Sequence, residues 1–388
     1  MKKNYPIGIQ SFEEIRKGNY CYIDKTALVY KLAESGKYYF LSRPRRFGKS
    51  LLISTLEAYF QGRKELFEGL SMGKLEKEWI EYPILHLDLN AQKYDTPDSL
   101  YDMLNDMLCG WESRYGTRPS ETSLSLRFQG IIQRAAEKTG RNVVILIDEY
   151  DKPMLQVIGN EELMTDYRNT LKAFYGVMKS CDKYIKFALL TGVTKFSKVS
   201  VFSDLNNLMD ISMDNRFASL CGITEEELYR DFKEDIIELG EKNGMTEKET
   251  KATLKEMYDG YHFTEKSEDI YNPFSLLNTF AQMRFGSYWF ETGTPTFLVE
   301  LLKHSRYNLY RFTEEMADAD SLEGIDTMHT NPVPILYQSG YLTIKGSTKS
   351  FGHIIWDSPT KRWKKDSRGS SPKSVGNQYP GEARPCIR

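Results

Sequence analysis

The sequence predicts an α/β protein: a parallel sheet covered by helices on both faces, followed by a smaller and mainly helical part. Three observations carry that prediction. Through the first 200 residues, short apolar runs suited to buried strands alternate with helical stretches. One of these runs, Val143 to Ile147, is five consecutive aliphatic residues, the pattern of a central parallel strand buried on both faces. Gly48-Lys49-Ser50 stands between an apolar run and a helical one, where a strand-to-helix turn belongs.

In chain order, Lys37-Tyr38-Tyr39-Phe40-Leu41 suits a buried strand, and Pro44, which has no N–H for a sheet ladder, ends it. Leu51 to Phe60 follows as a packed helix. Pro83 to Leu89 is the next strand candidate, with helical stretches near 98–112 and 123–138 after it. Val143 to Ile147 leads to a helix around 161–180, and Ile185 to Val193 is a further strong strand with polar Thr191 near its end.

Arg43-Pro44-Arg45-Arg46-Phe47-Gly48-Lys49-Ser50 and Asp148-Glu149 read together as two halves of a nucleoside-triphosphate site, with Asp148 placed 99 positions beyond Lys49. Unpaired N–H groups at a helix N-terminus, aided by the helix dipole, favour an anion there. Lys49 would reach the β- and γ-phosphates, and the Ser50 hydroxyl would ligate Mg²⁺. Arg45, Arg46, Phe47, Gly48 and Leu51 complete the nucleotide-binding loop. The usual loop begins with a glycine five residues before the second one, and here that position is Arg43. The loop's three arginines suit phosphate geometry, although the same residues also suit a solvated basic turn before a helix. Asp148 and Glu149 follow a buried strand, where open α/β sheets place their ligand chemistry. Asp148 would belong to the Mg²⁺ shell, and Glu149 would act as general base on the attacking water. Thr191 is the candidate sensor of the γ-phosphate, with Lys195 just beyond; a structural threonine is the alternative.

In Tyr5-Pro6-Ile7-Gly8-Ile9-Gln10-Ser11-Phe12, Tyr22-Ile23-Asp24-Lys25-Thr26 and Leu41 to Ser50 the chain resembles the AAA-ATPase-like family of bacterial proteins. Leu146-Ile147-Asp148-Glu149-Tyr150-Asp151-Lys152-Pro153, Thr191-Gly192-Val193 and Asn206-Asn207-Leu208 add to the resemblance, and Arg43 in place of glycine is itself typical. It spans about residues 4–346. The resemblance implies a P-loop NTPase core of the additional-strand class, three-layered with a parallel sheet. It also implies ATP as the nucleotide and, in complete members, a C-terminal PD-(D/E)xK nuclease-like domain.

Residues 215–346 have the composition of a helical lid or a winged-helix-like domain, after a P-loop domain over 1–214. Thr224-Glu225-Glu226-Glu227 opens a helix with acidic residues that suit the dipole. Ile335 to Ile344 reads as a helix end, a glycine turn and a strand. His262, in an aromatic turn, is expected to be structural; Arg216 suits either a phosphate-sensing finger or a surface position. Residues 347–388 are expected to form an aberrant tail, disordered from Asp366 onward. From Lys349 on there are nine Lys/Arg against three Asp/Glu, compared with 43 against 51 before it. A basic nucleic-acid arm would account for this charge. A frameshift accounts for more: His353 to Ser367, back-translated with permissible codons, yields TYYLGLPNKEVEKGF in a neighbouring frame, similar to the family's continuation. The nuclease-like domain is accordingly expected to be missing.

At 388 residues the chain is long enough for two domains with substantial cores. A formal net charge of −2 gives the body no global nucleic-acid signature. No apolar run approaches the roughly 20 residues of a membrane helix, and no signal peptide opens the chain. Cys21, Cys109, Cys181, Cys221 and Cys386 are scattered without a CxxC pair, as reduced thiols of a cytoplasmic protein would be. The expected function is a slow, Mg²⁺-dependent ATPase acting as a nucleotide switch, which in complete homologues would gate the nuclease-like domain. The alternative is a non-hydrolysing nucleotide-binding scaffold or nucleic-acid-binding module. Beyond the nucleotide, the expected partners are nucleic acid or an unidentified protein effector, with no membrane.

Overall fold

The computed structural model describes residues 4–196, 201–202, 205, 207–264, 267–291, 317–318, 333–347 and 353–357. Its first part runs α1 (Phe12–Lys17), α2 (Thr26–Ser35), β1 (Tyr38–Ser42), α3 (Lys49–Phe60), α4 (Ser71–Leu75), β2 (Ile84–Asp88), α5 (Pro97–Tyr115) and α6 (Leu124–Thr139). It continues with β3 (Val143–Asp148), α7 (Lys152–Gln156), α8 (Glu161–Ser180), β4 (Ile185–Gly192) and β5 (Met209–Asp210). The five strands form one sheet in the order β2-β3-β4-β1-β5, every adjacent pair parallel. β4 therefore stands between β1, which feeds the Gly48 turn, and β3, which delivers Asp148. This is the additional-strand P-loop arrangement that the family resemblance implied.

Hydrophobic pattern explains why β3 is central. All six of its residues are buried. Val143, Ile145 and Ile147 join a core with Leu104, Leu108, Ile131 and Phe174 from α5, α6 and α8. Val144 and Leu146 join a second core, on the other face, with Leu56 and Phe60 of α3. Each such side chain contributes roughly 1.5–3 kcal/mol by leaving water, so an uninterrupted aliphatic strand is stable only with helices on both sides. Local signals agree with the helix starts. Asn160 Oδ1 accepts from Leu163 N–H at the start of α8, where Glu161 and Glu162 fill the first turn.

Register aligns the strand ends that matter. Ser42 pairs with Gly192, and Asp88 with Asp148, which brings the carboxyl ends of the strands to one edge of the sheet. The two-residue β5, paired with Tyr39 and Phe40, has no counterpart in the sequence reading because two residues show no period.

After the sheet come α9 (Glu225–Asp231), α10 (Lys233–Asn243), α11 (Glu247–Tyr258), α12 (Pro273–Gln282) and α13 (Tyr288–Glu291). Thr224 and Glu227 form a reciprocal cap at the start of α9, as the acidic run suggested. These helices have their own core, including Leu228, Phe232, Ile236, Leu254 and Phe280. Tyr5 stacks on Phe232 and Phe280 at 6.5 and 6.4 Å, which ties the N-terminal segment to that core. β6 (Ala317–Asp318), α14 (Val333–Gln338), β7 (Thr343–Ser347) and β8 (His353–Asp357) follow, the strands in a sheet ordered β6-β8-β7. The expected tail thus begins inside that sheet, since β8 is one of its strands, while Cys386 and the stretch expected to be disordered lie outside the described residues. Among the described residues no helix is long and apolar enough to cross a membrane.

Candidate nucleotide site

A cleft of about 910 Å³ opens over the carboxyl edge of the sheet. Gly48 precedes α3 with φ 96° and ψ 21°, a left-handed conformation. An added Cβ there would meet nothing within 4 Å, so the backbone angle and not space requires glycine. At this turn Arg45, Arg46, Gly48, Lys49, Ser50 and Leu51 all line the cleft, beside the start of α3. Lys49 is buried, with 4% of its surface exposed. Its Nζ donates to the carbonyls of Arg43 at 3.1 Å and Pro44 at 3.4 Å, and lies 3.6 Å from Glu149 Oε1.

Glu149 also lines the cleft, directly after β3. Its φ of 53° is unusual for a residue with a side chain and costs on the order of 1 kcal/mol. That turn swings the chain off the sheet, so that Glu149 meets Lys49 while Tyr150 goes inward. Asp148 sits just behind. Its Oδ1 accepts from the Thr191 hydroxyl at 2.5 Å and from Glu149 N–H at 3.0 Å, and Oδ2 takes neither contact. Thr191 is fully buried. The structure therefore brings Thr191 to the Asp148 carboxylate and does not place it in the lining of the open cleft.

Three expected features are displaced. The Phe47 ring turns away from the cleft and packs edge-on against Tyr261 and Phe263, at centroid distances of 4.7 and 5.5 Å. Arg43 is buried too. It donates to the carbonyls of Ser42, Ser212, Phe217 and Ala218 and lies 4.1 Å over the Phe263 ring, so of the loop's three arginines only Arg45 and Arg46 face the nucleotide side. Burial pulls the Arg43 guanidinium below its ordinary pKa. Lys195 is paired with Asp210 at 2.6 Å in a separate hollow beside β5. Arg216 is paired with Asp214 at 2.6 Å and does not line the cleft. His262 N–H donates to Thr343 Oγ1, and the ring lies 2.9 Å from Asp269, a structural tie between the helical part and β7.

Several residues that the sequence reading left without a role belong here. Pro6 to Gln10, with Pro273, Phe274 and Leu277, form a largely apolar wall of the cleft. Lys152 lines it as well and donates to the Asn90 carbonyl at 2.5 Å. Asp151 is fully buried. Its Oδ2 accepts from Val193 N–H, Thr194 N–H and Thr194 Oγ1 at 3.0, 2.6 and 2.7 Å, while Oδ1 has no partner. Burial, reinforced by the neighbouring Glu149 charge, raises the Asp151 carboxyl to about 6. Asp151, Lys152 and Pro6 to Gln10 all stood within the stretches that carried the family resemblance. The signal was present, but nothing in it distinguished a cleft wall from a structural segment.

A family model described as Predicted AAA-ATPase matches residues 6–202. A protein of Azotobacter chroococcum mcd 1, described as an uncharacterized protein in the vnfD 5′ region, is 40% identical over 344 residues. The match covers 88% of this chain and 64% of that relative, so the chain spans under two thirds of the curated relative's length. Among solved structures, the ORC2 protein of Aeropyrum pernix in ADPNP–ADP complexes is 11% identical, with a TM-score of 0.23 over 89% of this chain and 90% of that one. A similarity that low carries no argument. The family match covers β1 to β4, the Gly48-Lys49-Ser50 turn, the acidic pair and Thr191, and the chain accordingly belongs to the AAA-ATPase-like family of ATP-binding P-loop proteins.

Proposed function

We propose that the chain binds ATP in this cleft and hydrolyses it slowly with Mg²⁺, using nucleotide occupancy as a conformational switch. The observation that carries the reading is the meeting of Lys49 with Glu149 at 3.6 Å across the cleft, backed by the Thr191–Asp148 hydrogen bond. The apolar wall of Pro6 to Gln10 and Phe274 suits a planar base, and the Gly48–Ser50 turn suits the phosphates.

Without nucleotide, the Lys49 ammonium is neutralised by Glu149 and two carbonyls. Phosphate oxygens are the stronger competitors for that ammonium. Their arrival draws Lys49 away and frees Glu149 to hold a water. Glu149 then takes the proton as the water oxygen bonds to the γ-phosphorus and the bond to the bridging oxygen of ADP breaks.

The donors Ser50 Oγ and Asp148 Oδ2 fit Mg²⁺, which takes one or two protein oxygens and completes its shell with phosphates and waters. When bound, Mg²⁺ would supply charge neutralisation at the β- and γ-phosphates. Thr191 fixes the carboxylate that would hold it and is a positioning residue in this scheme. Residues 215–346, read as a lid or winged-helix-like unit after a P-loop unit over 1–214, would move with nucleotide state. In complete homologues that motion would gate the nuclease-like domain.

The test is Mg²⁺-dependent ATP hydrolysis by the full chain beside its Glu149→Gln variant. Turnover lost in the variant, with ATP binding kept, is the expected result. A wild-type chain that binds ATP and never turns it over would favour the non-hydrolysing scaffold instead.

A further inference from the structure

The phosphate loop is held from outside by residues far beyond it in the chain. A loop that cradles a polyphosphate must turn its N–H groups inward and its carbonyls, which carry partial negative charge, outward. Among the described contacts, five of the six carbonyls from Arg43 to Gly48 have a donor. Those of Arg43 and Pro44 accept from Lys49 Nζ, and that of Gly48 accepts from Leu52 N–H at 3.0 Å. The other two of these five depend on residues beyond the sheet: Arg45 O accepts from Trp289 Nε1 at 3.0 Å, and Phe47 O from Gly222 N–H at 3.1 Å.

We propose that Trp289 is a positioning residue for nucleotide binding, its indole N–H holding the Arg45 carbonyl out of the phosphate cradle. Trp289 suits this task. It is 7% exposed, and its ring packs at 5.2 Å from Tyr341 and 6.3 Å from Tyr261. Tyr261 in turn packs on Phe47, so one aromatic cluster fixes both the donor and the loop it serves. Released from Trp289, the peptide between Arg45 and Arg46 can rotate and turn its oxygen toward the phosphates. The phosphate site is thus incomplete without Gly222 and Trp289, although the matched family region ends at residue 202.

This inference rests on the cleft being the phosphate site, and the experiment separates the two. Full-length wild type and Trp289→Phe, which keeps an aromatic ring but has no N–H, are titrated with ATP, ADP and adenosine, and their thermal midpoints are compared. Loss of one such hydrogen bond is expected to raise Kd for ATP and ADP about fivefold to tenfold. Adenosine affinity should stay within about twofold, and the midpoint within a few degrees. Unchanged ATP affinity, or an equal loss for all three ligands, would overturn the role of Trp289 alone. A wild type that binds neither ATP nor ADP would overturn the phosphate-site reading. Indole hydrogen exchange in the unaltered chain gives a second readout independent of how the variant folds. Among five tryptophans, ADP should slow exchange of one indole N–H and adenosine none; no slowed signal overturns the proposal.

Discussion

The exits of β3 and β4 reach the cleft from one side and the phosphate loop from the other, and they are secured differently. At the strand exits, Tyr150 N–H donates to the Thr191 carbonyl, and the Tyr150 hydroxyl donates to Thr194 O while accepting from Phe196 N–H, both at 3.0 Å. Asp151 gathers three more donors from Val193 and Thr194. All of this joins two neighbouring strands. The phosphate loop draws its outer contacts from Gly222, Tyr261, Phe263 and Trp289, the last of them 244 positions from its partner Arg45. The acidic side is therefore a product of sheet register. The phosphate side is a product of how the helical part docks.

If that contrast holds, changes on the phosphate side should move affinity, and changes at the strand exits should move turnover or stability. The largest effect expected is from Lys49→Ala, which removes the only ammonium in reach of the Arg43 and Pro44 carbonyls among the described contacts. Titration calorimetry should show ATP affinity lower by about a hundredfold or more, as expected for losing charge-assisted phosphate contacts. Glu149→Gln should lower kcat by roughly a hundredfold or more and leave ATP bound as tightly as before, or tighter, because Lys49 loses its competing carboxylate.

Thr191→Val, nearly isosteric, takes one of the two hydrogen bonds from Asp148 Oδ1. We expect kcat about tenfold lower with ATP affinity unchanged; a matching loss of affinity would blur the division between the two sides. Tyr150→Phe should act on stability instead. It leaves Thr194 O and Phe196 N–H buried without their partner, a cost of about 1–3 kcal/mol that thermal unfolding would report.

The smallest effect expected is a pH dependence. The folded-state pKa of Asp151 is raised from an ordinary 3.8 to about 6. Between these values the folded chain holds a proton that the unfolded chain has released, so this group makes stability fall as pH rises from about 4 to 6, then level off. Asp151→Asn cannot titrate. The stability difference between variant and wild type should therefore shift in favour of the variant as pH rises from 5 to 7, and a difference constant with pH would refute the assignment.

Much of this was legible in the chain because it depends on neighbours in sequence. An unbroken aliphatic strand has to lie between two helical layers, and the acidic residues that follow it have to emerge at the sheet edge. The glycine before Lys49 has to take up the left-handed turn. The Lys49–Glu149 pairing follows once β1 and β3 are known to be parallel with one strand between them. Arg43 and Phe47 were harder to place. A guanidinium in a basic loop resembles a phosphate ligand until the Ser212, Phe217 and Ala218 carbonyls are seen around it. A phenylalanine beside a glycine turn gives no hint of which way its ring points.

The sequence by itself determined the parallel α/β core, the position of the glycine turn before Lys49 and which lysine, serine and acidic pair stand as candidates for the site. Periodicity and local backbone rules act over a few residues and are written in the order of the chain. Only the tertiary structure decided that Thr191 bonds to Asp148, that Arg43 is a buried tie, and that Trp289 and Gly222 donate to carbonyls of the loop before α3. Those outcomes depend on hydrogen-bond donors and acceptors that meet because separate elements pack together. No local pattern in the sequence encodes that distance.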